Sequence, residues 1–318
     1  MRLGDISRVA IIGAGTMGAG IGLCFAHAGY DVILQDVLDD QIEKALDRIE
    51  RSQKVFIQEL VFSEASAKAA TERISVTKSL EEALDGVQLV LEVIPENLKL
   101  KQALFGQMEA FCATDTILAT NTSGLSIASI ASACIRPERV AGMHWVNPPE
   151  LVPLVEVIRG EKTADETVNL IFGIAEKLGK MPIIIQKEMP GFAMNRLQFA
   201  ALREALHLVE AGVVTPEDAD KAMSYGVGFR YPWLGPLKTA DLGGLDVFHS
   251  VASYLFSDLN AMKSPPESLN RLVEGGKLGI KTGKGFYDYE KESSEEILRK
   301  RDLYFLRQWK LIRDIQQS

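Results

Sequence analysis

The chain has 318 residues, 47% of them hydrophobic, which is enough to fill two cores and leads to an expectation of two domains. A net charge of -8 leaves no basic surplus to neutralise phosphates, so nucleic acid is not an expected partner. The three cysteines, Cys24, Cys112 and Cys134, lack C-x-x-C spacing, which argues against a disulfide framework or a structural metal site. No apolar run approaches the ~20 residues of a membrane span, and residues 9–13 are too short for a signal-peptide core. The expectation is a cytoplasmic protein with no metal and no membrane contact.

Short β-branched runs alternate with helical stretches through the first half. Strands are predicted at 9–12, 31–35, 87–94, 116–120, 140–145 and 181–186. This alternation implies an α/β Rossmann-type, doubly wound parallel sheet, and the near-continuous apolar character suits strands covered on both faces. The first strand runs directly into Gly13-Ala14-Gly15-Thr16-Met17-Gly18, which opens a helix reaching residue 28. In that context the glycines form a dinucleotide-binding turn. Gly13 permits the tight turn, Gly15 lets the backbone approach a pyrophosphate, and Gly18 lets the helix pack closely on the strand. Asp36 ends the second strand, where a carboxylate accepts hydrogen bonds from ribose hydroxyls and repels a 2′-phosphate; the expected cofactor is NAD rather than NADP. In the charged segment 40–59, apolar positions recur at three- and four-residue intervals, which predicts a helix or helical pair projecting from the sheet.

His144 ends the predicted strand 140–145, and in open α/β sheets catalytic groups gather at the carboxyl ends of strands. The other histidines fall within helices, His27 and His207, or in the second domain, His249. The apolar run Leu154-Val155-Glu156-Val157-Ile158 carries one carboxylate, and a glutamate buried in a strand is costly unless paired. His144 is its simplest partner. The following Asn147-Pro148-Pro149 also reads as an extended turn. Past Lys187 no strand-like alternation appears, and 192–210, 216–225 and 245–259 read as helices. The expected domains are therefore 1–187 for the cofactor and an all-α 188–318. Thr215 and Pro216 mark a helix start as N-cap and first helical residue, and 292–317 reads as a charged helix or loosely held tail.

From about residue 9 to 289 the sequence resembles the 3-hydroxyacyl-CoA dehydrogenase family. The resemblance is carried by Pro95-Glu96-Asn97-Leu98-Lys99-Leu100-Lys101, by Ser123 in Asn121-Thr122-Ser123, and by the stretches 144–148 and 154–158. It continues in Pro190-Gly191-Phe192-Ala193-Met194-Asn195-Arg196 and Lys281-Thr282-Gly283-Lys284-Gly285-Phe286-Tyr287. By that resemblance His144 is the catalytic base, Glu156 orients it and stabilises its charged form, and Ser123 and Asn195 hold the reacting end of the substrate. Glu96, Lys101, Ser123, Asn147 and Lys281 would contact NAD, and the helical domain would form a homodimer. The implied reaction, in fatty acid metabolism, oxidises the 3-hydroxyl of a (S)-3-hydroxyacyl-CoA such as 3-hydroxybutyryl-CoA. The chemistry is coherent without the family: a secondary alcohol needs a proton acceptor on oxygen and a hydride acceptor facing carbon, and histidine takes protons near neutral pH.

Two departures bear on the substrate. In the acyl-CoA enzymes a serine and a lysine on the helical arm after the second strand touch CoA; the serine matches Ser52, but the lysine position holds Glu59, with Lys54 as a substitute nearer Ser52. Arg230, in Gly228-Phe229-Arg230-Tyr231-Pro232-Trp233, stands where short-chain acyl-CoA enzymes are neutral. It is similar to the L-gulonate 3-dehydrogenase and lambda-crystallin branch. The stretches 144–149 and 195–198 lean the same way and towards bacterial dehydrogenases of small acids, including a pyridine-carboxylate enzyme. An arginine grips a free carboxylate bidentately, or simply forms a salt bridge. The 281–287 stretch matches bacterial 3-hydroxybutyryl-CoA dehydrogenases and puts the acyl-CoA reading first, a free hydroxy-acid dehydrogenase second and a non-catalytic, crystallin-like NAD-binding protein last.

Overall fold

The computed structural model describes residues 1–317 and divides into two compact units, Met1–Asn195 and the chain from Arg196 onward. In the first unit the elements run β1 (Arg8–Ile12), α1 (Thr16–His27), β2 (Asp31–Gln35), α2 (Asp39–Gln58), α3 (Glu64–Glu72), β3 (Ile74–Thr77) and α4 (Leu80–Leu84). They continue with β4 (Leu89–Glu92), α5 (Leu98–Phe111), β5 (Ile117–Thr120), α6 (Ile127–Ala131), β6 (Val140–Trp145), β7 (Leu154–Ile158), α7 (Asp165–Lys177) and β8 (Met181–Ile185). The expected α/β Rossmann-type sheet is present, in the order β3-β2-β1-β4-β5-β6-β7-β8.

One feature of that sheet corrects the parallel reading: β7 runs antiparallel to β6, and β8 runs parallel to β7. The connection 146–153 is too short for the ~12-residue crossover that a parallel neighbour requires, so the chain must turn back on itself. Strand β3 was not expected. It is an edge strand whose Ser75 and Val76 are exposed, so it shows neither an apolar run nor a buried face. The charged segment forms the helix pair α2 and α3, but α2 does not stand free. Its face Ile42, Ala45, Ile49, Gln53 and Phe56 is buried, and it packs along α1. Beneath the sheet, Val90, Leu118, Phe105, Met108, Ile127 and Ile130 belong to one continuous core.

The second unit is helical: α8 (Met194–Glu210) starts at the division, followed by α9 (Pro216–Lys221), α10 (Gly228–Arg230), α11 (Gly235–Gly243), α12 (Leu245–Leu255), α13 (Glu267–Glu274) and α14 (Ser294–Gln317). Thr215 caps α9 by accepting from the Asp218 N–H, with Pro216 first in the helix. Past Lys221 the helix widens into a π-type stretch, Ala222–Val227. The boundary expected after Lys187 precedes the observed division, because the Ala193 and Met194 N–H groups donate to Glu156 at 3.0 Å each and tie that segment to the sheet. Large apolar side chains stay exposed on this unit, among them Phe199, Phe229, Trp233, Leu237 and Phe256. Among the described residues no helix is long and apolar enough to cross a membrane, and no group of side chains could hold a metal ion.

Candidate active site

The site grows from the carboxyl ends of the central strands. At the end of β1, Gly13 adopts φ +111°, and a Cβ there would lie 2.8 Å from the Val93 carbonyl oxygen, so only glycine fits. A Cβ on Gly18 would meet the Gly13 carbonyl oxygen at 1.9 Å, which is how closely α1 is drawn onto the turn. Gly15 differs, since nothing lies within 4 Å of where its Cβ would point. Bare backbone therefore faces a cleft of about 1160 Å³ lined by Gly13, Gly15, Met17, Asp36, Glu96 and Ser123 among others. Among the described residues no side chain caps α1, so the N–H groups of its first turn, from Thr16 and Met17 on, are left to an anion. Asp36 is fixed at the edge of the cleft, accepting from the Ala14 N–H at 2.9 Å and the Leu38 N–H at 3.1 Å. Its remaining lone pairs suit ribose hydroxyls. This combination of bare glycine, open helix terminus and fixed carboxylate fits a dinucleotide.

His144 and Glu156 face each other across the antiparallel pair β6 and β7, as directly opposed residues. Both are buried, and His144 Nδ1 lies 2.8 Å from Glu156 Oε2. The other oxygen, Oε1, accepts from the Ala193 and Met194 N–H groups. Burial pushes the Glu156 carboxyl up, but the His144 hydrogen bond, these two N–H groups and the His144 charge together outweigh it and hold the carboxyl below the usual range. The Phe192 ring packs 5.6 Å from the His144 ring, centroid to centroid, and closes one side of the base. With Nδ1 engaged, Nε2 is the ring nitrogen able to meet a substrate.

Two further contacts draw the neighbouring groups together. Asn195 Nδ2 donates to the Ser123 carbonyl at 3.3 Å, and Asn121 Oδ1 accepts from the Trp145 N–H at 2.8 Å, linking the segment after β5 to α8 and to β6. Glu96 lies beside them; its Oε1 accepts from Thr122 Oγ1 at 2.6 Å and from the Ser123 N–H at 3.0 Å. Asn147 follows β6 and precedes a cis-Pro148. Lys101 does not line the cleft: it is 1% exposed, and its Nζ is 2.6 Å from Glu92 Oε1 and 3.5 Å from Glu96 Oε2. Glu92, with Thr120 at 2.6 Å, is a buried component absent from the sequence reading. The clue was there, in a single carboxylate ending the apolar run of β4.

The residues offered for substrate recognition divide between the two units, Ser52 in the first and Arg230 in the second. Ser52, on α2, donates its hydroxyl to Glu150 Oε1 at 3.0 Å, and Lys54 pairs with Glu50 at 2.6 Å. Arg230 ends α10 and Lys281 lies in the Gly-rich stretch before α14, both in the second unit. Lys284 of that stretch pairs with Glu290 at 2.9 Å.

Comparison with known proteins places this geometry. Residues 8–189 match the model of the 3-hydroxyacyl-CoA dehydrogenase NAD binding domain, and residues 191–289 match that of the 3-hydroxyacyl-CoA dehydrogenase C-terminal domain. A probable 3-hydroxybutyryl-CoA dehydrogenase of Bacillus subtilis is 39% identical, over 91% of this chain and 100% of its own. The 5-formyl-3-hydroxy-2-methylpyridine 4-carboxylate 5-dehydrogenase of Mesorhizobium japonicum is 37% identical, over 93% and 95%. A solved structure of a 5-formyl-3-hydroxy-2-methylpyridine 4-carboxylic acid 5-dehydrogenase, described as an NAD+ dependent dismutase, has a TM-score of 0.91 at 35% identity and covers 97% of this chain and 99% of that one. The chain belongs to the 3-hydroxyacyl-CoA dehydrogenase family of NAD-dependent oxidoreductases, and the expected cofactor, NAD, is the one its first domain is built for.

Proposed function

We propose that the protein oxidises the 3-hydroxyl of a (S)-3-hydroxyacyl-CoA of the 3-hydroxybutyryl-CoA type to the 3-keto compound, and reduces the ketone in reverse. The observation that carries the dehydrogenase chemistry is the buried 2.8 Å contact between His144, near the carboxyl end of β6, and Glu156, opposite it on β7; the acyl-CoA substrate follows the matched family and its relatives. Glu156 keeps the proton of neutral His144 on Nδ1, which turns the Nε2 lone pair towards the substrate hydroxyl. Nε2 takes the hydroxyl proton as the carbonyl forms, and the resulting imidazolium is stabilised by the Glu156 carboxylate. The Ser123 hydroxyl and the Asn195 amide, drawn together by the Asn195–Ser123 contact, orient the oxygen being oxidised. Bound NAD would supply the hydride acceptor for the carbinol carbon. Residues Gly13, Ala14, Gly15, Thr16, Met17 and Gly18 would hold its pyrophosphate and Asp36 its ribose. Glu96, Ser123, Asn147 and Lys281 would serve its other half, with Lys101 behind Glu96.

In this reading the first unit binds the cofactor and the second forms a homodimer. The exposed apolar side chains of the second unit, such as Leu237, Phe229 and Trp233, support the latter. The protein would act in the cytoplasm, in fatty acid metabolism.

A second reading is favoured by the closer structural likeness to the pyridine-carboxylate dehydrogenase, whose TM-score of 0.91 exceeds the 0.75 and 0.74 of two 3-hydroxybutyryl-CoA dehydrogenase structures. The acidic partner of Ser52, Glu150, also disfavours a CoA phosphate there. On this reading the substrate is a small free acid carrying an alcohol or aldehyde, and Arg230 is its carboxylate anchor. The deciding assay follows NADH oxidation with acetoacetyl-CoA beside NAD reduction with L-gulonate, free 3-hydroxy acids and aromatic hydroxy- or formyl-carboxylates. Turnover of acetoacetyl-CoA supports the first reading. Inactivity there with turnover of a free acid replaces it by the second.

A further inference from the structure

Lys101 sits in the first turn of α5, where the helix dipole disfavours a cation, and it is shielded from water. Its ammonium is held by Glu92 Oε1 at 2.6 Å and by the Ile94 carbonyl at 3.1 Å, and it only brushes Glu96 Oε2 at 3.5 Å. Glu92, the last residue of β4, is fully buried and saturated: Oε1 also accepts from the Ile94 N–H at 2.7 Å, and Oε2 accepts from Thr120 Oγ1, at the end of β5, at 2.6 Å. Two carboxylates thus compete for one ammonium, and Glu92 has the closer hold. That leaves Glu96 Oε1 free to bind Thr122 Oγ1 and the Ser123 N–H. Thr122 Oγ1 in turn accepts from the Leu125 N–H at 3.0 Å, so the whole turn after β5 hangs from Glu96.

We infer that Glu92 and Lys101 form a positioning pair that acts on the site through Glu96, setting the turn that carries Ser123; the inference rests on the proposed role of Ser123 at the reacting end. Without the Glu92 charge, the nearest carboxylate for the Lys101 ammonium is Glu96. Drawing Glu96 inward takes its Oε1 away from Thr122 and Ser123. A pair that served stability alone would lower the thermal midpoint when one charge is removed and leave kcat and the exchange of 121–125 unchanged.

The test compares Glu92→Gln, Lys101→Met and the double variant with the wild-type protein by three readouts: hydrogen exchange of the peptide 121–125, NAD affinity by calorimetric titration, and kcat and KM on the substrate identified above. The pair predicts exchange in 121–125 accelerated about tenfold or more and kcat lowered about tenfold or more in Glu92→Gln, where the unpaired ammonium draws Glu96 off; Lys101→Met, which leaves Glu96 in place, should lose thermal stability with NAD affinity changed less than about threefold. The double variant, with no ammonium left to draw Glu96 inward, should regain thermal stability and most of the exchange protection and kcat lost in Glu92→Gln. Two results overturn the inference. One is wild-type exchange and kcat in folded Glu92→Gln; the other is Lys101→Met weakening NAD binding about tenfold or more with exchange in 121–125 unchanged, the mark of a direct cofactor contact. Should Glu92→Gln fail to fold, Glu92→Asp keeps the charge but shortens its reach to the Lys101 ammonium, and the same shifts are expected at smaller size. A wild-type protein inactive on every candidate substrate would defeat the proposed function, while exchange and NAD affinity would still decide the role of the pair.

Discussion

Replacing Glu156 by glutamine keeps the shape of the side chain and removes the symmetry on which the site depends. The carboxylate accepts on both sides: from His144 Nδ1 with one oxygen, and from the Ala193 and Met194 N–H groups with the other. An amide has one acceptor oxygen. If its NH2 faced the two backbone donors, both would lose their partner, at about 1–3 kcal/mol each and so roughly 2–6 kcal/mol together. The amide oxygen should therefore stay on Ala193 and Met194, which turns the NH2 towards His144 Nδ1. Neutral His144 must then accept at Nδ1 and carry its proton on Nε2, the nitrogen needed as base. A wrong tautomer of this kind costs a triad enzyme about 10⁴-fold in kcat, so a loss of about 10³–10⁴-fold is expected here. Initial rates of NADH formation or loss across pH, measured beside the thermal midpoint and NAD affinity, check this. A folded Glu156→Gln protein that binds NAD and retains kcat within about tenfold of wild type would refute the assignment of His144 Nε2 as base.

Two further outcomes follow from the geometry. Gly18→Ala places a methyl group 1.9 Å from the Gly13 carbonyl oxygen, backbone that cannot yield without moving α1, so NAD affinity should fall at least about tenfold and the thermal midpoint should drop; wild-type NAD affinity in that variant would place the dinucleotide elsewhere. Glu109 is half-buried, which pushes its carboxyl up, but the Ile135 and Arg136 N–H groups and the Arg139 guanidinium outweigh that and hold it below its usual range. A depressed folded value means stability that is present above the ordinary carboxylate range and is lost as pH falls through the folded value. Denaturant unfolding measured at a series of acidic pH values should show that decline, and Glu109→Gln should flatten it while lowering stability at neutral pH.

Much of this molecule is legible in its sequence where one local rule governs. Strands β2 and β6 begin and end where their apolar runs do, since both are covered on two faces. The edge strand β3 has no such run, and its exposed Ser75 and Val76 carry no periodic signal. The reversal at β7 was readable from the brevity of 146–153, yet alternation of strands and helices speaks for parallel pairing until that length is weighed against the needs of a crossover. The pairing of Glu156 with His144 follows from asking what a lone carboxylate in an apolar strand is for. Put to β4, the same question finds Glu92. Its partner Lys101 is harder to see, because a lysine in a charged helical stretch reads as a solvated or ligand-facing group, and only the packing of α5 on the sheet turns it inward.

The competing substrate readings share everything around His144 and part on α2. Both need a base, a fixed tautomer and a cleft for NAD, so no residue of that set distinguishes them. On α2 the two groups offered for CoA contacts already have acidic partners, Ser52 with Glu150 and Lys54 with Glu50. The Lys54–Glu50 pair is exposed and worth only about 0–1 kcal/mol, so a phosphate could displace it at little cost. The Ser52–Glu150 bond is half-buried, and a phosphate arriving there would meet the Glu150 carboxylate itself, an opposition that low dielectric strengthens. Recognition of CoA on this arm therefore requires Glu150 to turn away, whereas a small free acid makes no demand on it.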